Sequence, residues 1–492
     1  MKEVTANDIA NFVKNGDRVA FGGFTPAGSP KVSASAIARR AEEEHAAGRP
    51  FKLHILTGAS TGNTIDGVLA KADAIISRAP YQSDSNLRNL INEGKVQYCD
   101  MHISHYAQQI KQKIFGEIDL AIIEVADVSD SGEIVFTTAI GMASTFCRYA
   151  KKIIVELNEY HPKKVRGLHD IYETEPAPHT KPIPLVTVRD RIGTETVKVD
   201  PNKIIGIVRT NMPDQVKAFS KADKDTDRIG ENIAKFLSNE IRNGRISPLL
   251  PIQSGVGNMA NSVLKAMSNE TSIPSYTMFS EVLQDSVIEA IKSENILFAS
   301  GAALAVTQEC LNEIYDNYDF FKTRLILRPQ EISNHPEIAL RLGIIAINTA
   351  LEIDICGNVN STHVFGSNVV NGIGGSADFT RNSLISIFSC KSTAKDGRIS
   401  TIVPFCSHVD HSEHSVKVLA TEWGVADLRG KNPRQRAQEI INNCVHPNYK
   451  DLLNQYLSMA NSGHVPFSLA NAFKMHEAFV SEGDMCKTVW AI

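Results

Sequence analysis

Short runs of β-branched and other apolar residues alternate along the chain with longer stretches whose apolar positions recur every three or four residues. In the first half the strand-like runs are DRVAFGGF (17–24), FKLHILTGAS (51–60), DLAIIEVADVSDSG (119–132) and KKIIVELNEY (151–160), and residues 32–48 predict a helix. Strands alternating with helices predict βαβ units, hence an α/β fold with mostly parallel sheets. The polar stretch RTNMPDQVKAFSKADKDTDR (209–228) interrupts this rhythm, and a strongly amphipathic helix over 226–242 follows it. That break places a domain boundary near residue 220, dividing the chain into 1–220 and 221–492. The second half repeats the first: SPLLPIQSGVGN (247–258) is again a strand entering a glycine turn. LEIDICGNVN (351–360) parallels IIEVADVSDSG (122–132), and RISTIVPF (398–405) parallels KKIIVELN. Order and spacing predict a duplicated α/β domain, with the cleft between the copies as the expected place for a site.

Charge removes several classes of partner. The 492 residues carry 51 Lys+Arg against 55 Asp+Glu, a formal net charge of −4. No broad positive field exists to recruit nucleic acid or an anionic membrane surface, although a local cationic pocket is compatible with this balance. No apolar run approaches the ~20 residues of a membrane span, and the opening MKEVTANDIANFVKNGD has no apolar signal core. The eight cysteines are scattered without a CxxC pair, which reads as reduced thiols. A cytoplasmic location is therefore expected.

Two glycine turns carry the first chemical signal. QSGVGNMANSV (253–263) contains a formal G-x-G-x-x-A between a strand and a helix, where backbone N–H groups favour an anion. The next strand, SYTMFSE, ends in Glu281, close to where a dinucleotide fold places its ribose-binding acid. A plain strand–turn–helix corner, a dinucleotide site and another anion site are all compatible with this segment. VVNGIGGSADF (369–379) adds Gly372, Gly374 and Gly375 before Asp378. Two glycine turns and one strand-end carboxylate suit covalent catalysis, in which the carboxylate attacks and backbone N–H groups meet the developing oxyanion. A tight loop joining core elements is the plainer reading of GIGGSADF. The run CSHVDHSEH (406–414) has H-x-x-H-x-x-H spacing, but its flanks read as extended chain, which sends residues three apart to opposite faces. It is read as a hydrogen-bonded turn near the cleft, and no metal is expected. HISHY (102–106) and EYHPKKVRGLHD (159–170) read as polar loops without a specific signal, and no GxSxG, HExxH or Walker A sequence is present.

Taken as an ordered set, FGGFTPAGSPK, QSGVGN, FSEVLQD, QEISNHPE, LEIDICGNVNST, GIGGSADF, SHVDHSEH and TEWGVADLRG resemble the acetyl-CoA hydrolase/transferase family of class I coenzyme A transferases. The resemblance spans nearly the whole chain. It implies two tandem CoA-transferase-type (NagB/RpiA-like) domains with the active site between them, and a nucleophilic glutamate matching Glu281. It further implies oxyanion donors at Val256 and Gly375, and an orienting asparagine at Asn334. Coenzyme A contacts carry over to Gln253, Ser254, Gly255, Val256, Gly257, Asn371, Gly375 and Lys395. Ser280 stands where some members have threonine, and Trp423 where many have glutamine.

The activity so implied is transfer of coenzyme A between small carboxylic acids of the succinate, acetate or propionate type. Acyl-CoA is then a substrate, with no tightly bound cofactor, and a homodimer is the family expectation. An acyl-CoA hydrolase using the same glutamate is the first alternative. A non-catalytic ligand-binding sensor on a related fold is the second, and a dinucleotide oxidoreductase stands behind both.

Overall fold

The computed structural model describes residues 2–216, 223–247 and 251–491. The boundary expected near residue 220, and residues 248–250 of the run expected over 247–258, lie outside the described residues. Two compact units are present. The first gathers Met1–Ala218, Thr277–Leu342 and Asn371–Asp378; the second gathers Phe219–Tyr276, Gly343–Val370 and Phe379–Ile492. The segment carrying Glu281 thus packs with the first unit.

In the first unit, Arg18–Phe21 lies parallel between Leu53–Leu56 and Ile118–Val128. Ile75–Ala79 and Gln97–Tyr98 extend one side of the sheet, and Ala150–Asn158 and Ile204–Thr210 extend the other, all in parallel register. Ile118–Val128 is a nearly continuous apolar run because a central parallel strand is covered on both faces. The helix Ser33–Ala46 lays Ile37 and Ala41 against Phe21, Leu53, Ile55 and Leu120 in the core. Its N-terminus is met by the buried Glu156 carboxylate, which accepts from the backbone N–H groups of Lys31 at 2.6 Å and Ser33 at 2.8 Å. An anion placed there satisfies donors that the helix itself leaves open.

In the second unit, Ile252–Ser254 pairs parallel with Ile345–Thr349, followed outward by Ile385–Ser389 and Val418–Thr421. The succession matches the first unit, where Arg18–Phe21 is followed by Ile118–Val128, Ala150–Asn158 and Ile204–Thr210. The α/β class and mostly parallel sheets expected from the sequence are therefore present in both units. The particular segments matched by sequence are corrected. The topological counterpart of Ile118–Val128 is Ile345–Thr349, and that of Ala150–Asn158 is Ile385–Ser389. Glu352–Asp354 instead pairs with Ile402–Val403 and Val359–Asn360 in a separate small sheet. The chain turns there because buried Asp354 accepts from the backbone N–H groups of Cys356 and Asn358, both at 2.9 Å. The helix expected over 226–242 is Lys224–Arg242, capped by Asp223 through Thr226 N–H.

Candidate active site

Glu281 follows the strand Tyr276–Phe279, and its backbone is clamped on both sides. Ser280 N–H donates to Ser300 O at 2.9 Å, while Glu281 O accepts from Ala302 at 2.6 Å and Ala303 at 3.1 Å. Val282–Leu283 then pairs parallel with Ala303–Leu304. Small residues permit this closeness: a Cβ on Gly301 would lie 2.9 Å from Leu283 Cγ and 3.1 Å from Glu281 O. Beneath the clamp, Val282, Ala302 and Ala303 pack with Phe24, Ala27 and Ile103 in one apolar cluster. The FGGFTPAGSPK loop therefore packs, through Phe24 and Ala27, in the same cluster as Val282, the residue that follows Glu281.

The residue keeps part of its surface accessible while its carboxyl sits deep among protein atoms. Burial pushes the Glu281 carboxyl up to about 7, and the hydrogen bond from Asn334 Nδ2 to its Oε1 works in the opposite direction. Asn334 is fully buried at the end of the short helix Gln330–Ser333. That helix is anchored by Gln330 N–H donating to Gly141 O at 3.0 Å.

Gly375 comes from a distant segment and occupies space that no side chain can share. A Cβ there would stand 1.7 Å from Glu281 Oε1 and 2.1 Å from Asn334 Nδ2. Its loop is pinned along its length. Tyr98 Oη donates to Asn371 O at 3.0 Å, Ile373 N–H donates to the Asp100 carboxylate at 2.9 and 3.0 Å, and Ile103 N–H donates to Gly374 O at 3.3 Å. A Cβ on Gly372 would meet Tyr98 Oη at 2.4 Å, so close approach accounts for this glycine as well. Tyr81 lines the same loop, its phenol pushed up to about 12 by burial and by the carboxylates of Glu281 and Asp100. Asp378, in the helix Ser376–Asn382, accepts from Ser104 Oγ at 2.6 Å and Ser104 N–H at 3.0 Å. Burial pushes its carboxyl up to about 8; the Ser104 hydrogen bonds oppose this, and the nearby Glu281 adds to it.

The first unit thus brings together Glu281, Asn334 and Gly375, with Asn371 on the loop that carries Gly375. Gln253, Ser254, Gly255, Val256 and Gly257 lie in the second unit, in a strand–turn–helix corner as expected. The amides of Gln253 and Asn348 bond reciprocally at 3.3 and 3.2 Å, and Gly255 N–H donates to Ile347 O at 3.0 Å. Val256 is 51 % exposed at the turn, and Gly257 has φ +100°, a left-handed backbone that favours glycine, just before the helix Asn258–Asn269. Lys395 is exposed in the turn between the strands Thr393–Ala394 and Ile399–Ser400.

Sequence reasoning passed over Ser104, Tyr81, Tyr98 and Asp100. HISHY is not a loop: it opens the helix Ile103–Lys111. The tract 159–170 buries His161, His169 and Asp170, and Asp170 pairs with the buried Arg328. In the histidine run, Asp410 accepts from Ser361 N–H at 2.7 Å and from Thr362 Oγ1, and His411 is buried against Val359 in a built turn. Among the described residues one His/carboxylate group is close-set enough for a metal, formed by Glu124, His161 and Asp214. Lys31 Nζ lies 2.7 Å from both Glu124 Oε2 and Asp214 Oδ1, so an ammonium already stands where a cation would. Burial opposes the lysine charge, but the two carboxylates carry its pKa above the usual value.

Family models for the acetyl-CoA hydrolase/transferase N-terminal and C-terminal domains match residues 1–209 and 311–457. A propanoyl-CoA:succinate CoA transferase of Escherichia coli is 48% identical over 98% of this chain and 98% of that protein. The chain belongs to the acetyl-CoA hydrolase/transferase family. A succinyl-CoA:acetate CoA-transferase of Clostridium kluyveri is 45% identical, covering 98% of this chain and 90% of that one. An acetyl-CoA hydrolase of Schizosaccharomyces pombe is 39% identical, covering 98% and 95%. The fold is also that of RipA from Yersinia pestis (TM-score 0.70, 20% identity, 92% and 96% coverage). A 4-hydroxybutyrate CoA-transferase from Porphyromonas gingivalis shares it (TM-score 0.61, 20% identity, 92% and 96% coverage). Membership makes this chain an enzyme of the CoA-transferase/hydrolase group, and no described helix is long and apolar enough to cross a membrane.

Proposed function

We propose that this protein is an acyl-CoA:carboxylate CoA-transferase acting on small acids such as succinate, acetate or propionate, with Glu281 as nucleophile. The observation that carries the reading is a clamped, deep-set Glu281 carboxyl held by Asn334 and overlain by a glycine with no room for a Cβ. Its support in kinship is the higher identity to two CoA-transferases, 48% and 45%, than to a hydrolase at 39%.

In this reading the Glu281 carboxylate attacks the thioester carbonyl. A C–O bond forms, the C–S bond breaks, and the acyl-glutamyl anhydride and CoA thiolate result. The thiolate attacks the glutamyl carbonyl, releasing the first carboxylate and leaving a Glu281–CoA thioester. A second carboxylate attacks that thioester, regenerating an anhydride and thiolate. Attack of the thiolate on the new acyl carbonyl yields the second acyl-CoA and free Glu281. Backbone N–H groups of Val256 and Gly375 are the proposed oxyanion donors, and Asn334 orients the glutamate. Removing one such donor costs on the order of 10²–10³ in rate at acyl-transfer sites. Gln253, Ser254, Gly255, Val256, Gly257, Asn371, Gly375 and Lys395 are the proposed coenzyme A contacts, where binding energy from the nucleotide end can orient the thioester.

Acyl-CoA hydrolysis by the same glutamate is the second reading, favoured by the relative named acetyl-CoA hydrolase. Incubation with acyl-CoA alone, trapping with borohydride and peptide mapping tests the shared nucleophile, and a label on any residue but Glu281 rejects both readings. Acceptor acid carrying ¹⁸O then separates them. Transfer moves the label into the released acid, whereas hydrolysis takes its oxygen from solvent.

A further inference from the structure

Asn334 Nδ2 stands between two carboxyl groups: it donates to Glu281 Oε1 and lies 3.5 Å from Asp378 Oδ2. Asp378 is itself held from behind by both donors of Ser104, at the first turn of the helix Ile103–Lys111. Three segments therefore close one chain of contacts, Ser104 to Asp378 to Asn334 to Glu281. The neighbouring contacts tie the same segments: Ile103 N–H donates to Gly374 O at 3.3 Å, and Gln330 Nε2 to Ile103 O at 3.4 Å.

We propose that Asp378 is a positioning residue for the reaction, anchored on Ser104 and holding the Asn334 amide in register with Glu281. The proposal rests on Glu281 being the nucleophile and adds a component to that reading. A carboxamide has two faces of nearly equal shape, one donating and one accepting. With a carboxyl group on each side of Nδ2, only the donating orientation is satisfied at both. The need is sharpest after Glu281 has been acylated. The carboxylate that attracted the amide is then neutral, and Asp378 Oδ2 remains as the second acceptor that keeps Nδ2–H turned towards the glutamyl carbonyl oxygen. In the free enzyme the bridge favours ionised Glu281; in the covalent intermediate it favours the polarised carbonyl that thiolate or carboxylate must attack. Besides Glu281 and Asp378, the titratable side chains against the glycine loop include, among the described residues, Tyr81 and Tyr98, both kept neutral by burial, and Asp100, occupied by Ile373 N–H.

Asp378→Asn keeps the shape but offers an amino group to Asn334 or to Ser104. The expected result is a fall in kcat of about tenfold to a hundredfold, with KM for acyl-CoA within about threefold of wild type, the pattern of a misplaced reacting group. The test that separates positioning from general structural support is a double-mutant cycle with Asn334→Ala. If Asp378 acts through the amide, Asp378→Asn costs little in the Asn334→Ala background; an equal cost in both backgrounds overturns the proposal. Ser104→Ala removes one anchor without touching a carboxyl group, and is expected to shift kcat in the same direction by a smaller factor. It also serves if Asp378→Asn folds poorly. An infrared titration of the Glu281 carboxyl, isolated by difference from Glu281→Gln, does not depend on turnover. Ser104→Ala keeps the neighbouring carboxyl in place, so loss of the amide donor is expected to raise that titration there, and an unmoved titration in Ser104→Ala overturns the proposal. Absence of a glutamyl adduct in the wild-type protein would reject Glu281 as nucleophile, and with it both readings of the reaction, whereas the infrared result separately reports whether Asp378 positions Asn334.

Discussion

Gly375→Ala is the smallest change that bears on the reasoning about Glu281. The added carbon would stand 1.7 Å from Glu281 Oε1 and 2.1 Å from Asn334 Nδ2. A carbon–oxygen contact relaxes at about 3.2–3.5 Å, so the carboxylate or the loop has to move by roughly 1.5 Å. The loop resists, because Tyr98, Asp100 and Ile103 hold it at Asn371, Ile373 and Gly374. The carboxyl group is therefore the part that yields, and it parts from the Asn334 amide. A displacement of about 1 Å at a reacting centre costs about 10² in rate, and loss of a hydrogen bond to a charged group costs about 1.5–3 kcal/mol. The expected outcome is a fall in kcat/KM of at least about 10²-fold, measured by steady-state transfer of CoA from succinyl-CoA to acetate. Gly374→Ala is the matched control. Its nearest neighbour, the Tyr81 ring, is 3.4 Å away, and the cost is backbone strain at φ +56°. It should lose about 1 kcal/mol of stability while keeping most of its activity. If Gly375→Ala turns over within about threefold of wild type, Glu281 is not confined as described and the account of the site fails.

Three further outcomes follow from the charges. Because Glu281 in its proposed role attacks in the ionised form and burial raises its carboxyl to about 7, kcat/KM should climb with pH through about 7. An acid limb near the ordinary glutamate value of about 4.3 would contradict this. The same shift has an opposite sign for stability: between the unfolded value of 4.5 and the folded value of about 7, the native state holds a proton that the unfolded chain has lost, so stability falls as pH rises. Glu281→Gln should therefore abolish transfer yet stabilise the protein by up to about 3 kcal/mol at pH 8, with no gain at pH 4; urea melts at both pH values check it. Lys31→Met strips the ammonium from Glu124 and Asp214 and leaves two buried carboxylates facing one another. A loss of about 3–5 kcal/mol is expected, and a thermal midpoint within a degree of wild type would show that the pair is not the buried ion cluster described.

The alternation of strands and helices was readable because parallel strands covered on both faces, such as Ile118–Val128, need continuous apolar runs. Glu281, Asn334 and Gly375 were singled out by the resemblance of their short strings to the family's motifs, and the structure brings the three side by side. Ser104 was not readable. Nothing in HISHY distinguishes a serine at the first turn of a helix from one in a loop, and its partner Asp378 lies 274 residues away. The pairing of LEIDICGNVN with IIEVADVSDSG misled for a related reason. An acid within an apolar run reads the same whether it continues a central strand or, as Asp354 does, accepts from the next N–H groups and turns the chain.

The three-part construction of the first unit also dictates when its site can come into being. Translation delivers the strands from Arg18–Phe21 through Ile204–Thr210 early, and these pair largely with one another. Glu281 arrives later, Asn334 later still, and Gly375 only after roughly three quarters of the chain has emerged. Contacts so remote in sequence carry a large loop-closure cost and form slowly. A nascent chain can therefore hold a well-packed sheet before the Glu281 carboxyl is confined by Asn334 and Gly375. The confined carboxyl is then a late acquisition of the growing chain, and a chain that stops before residue 371 lacks the glycine loop that encloses it.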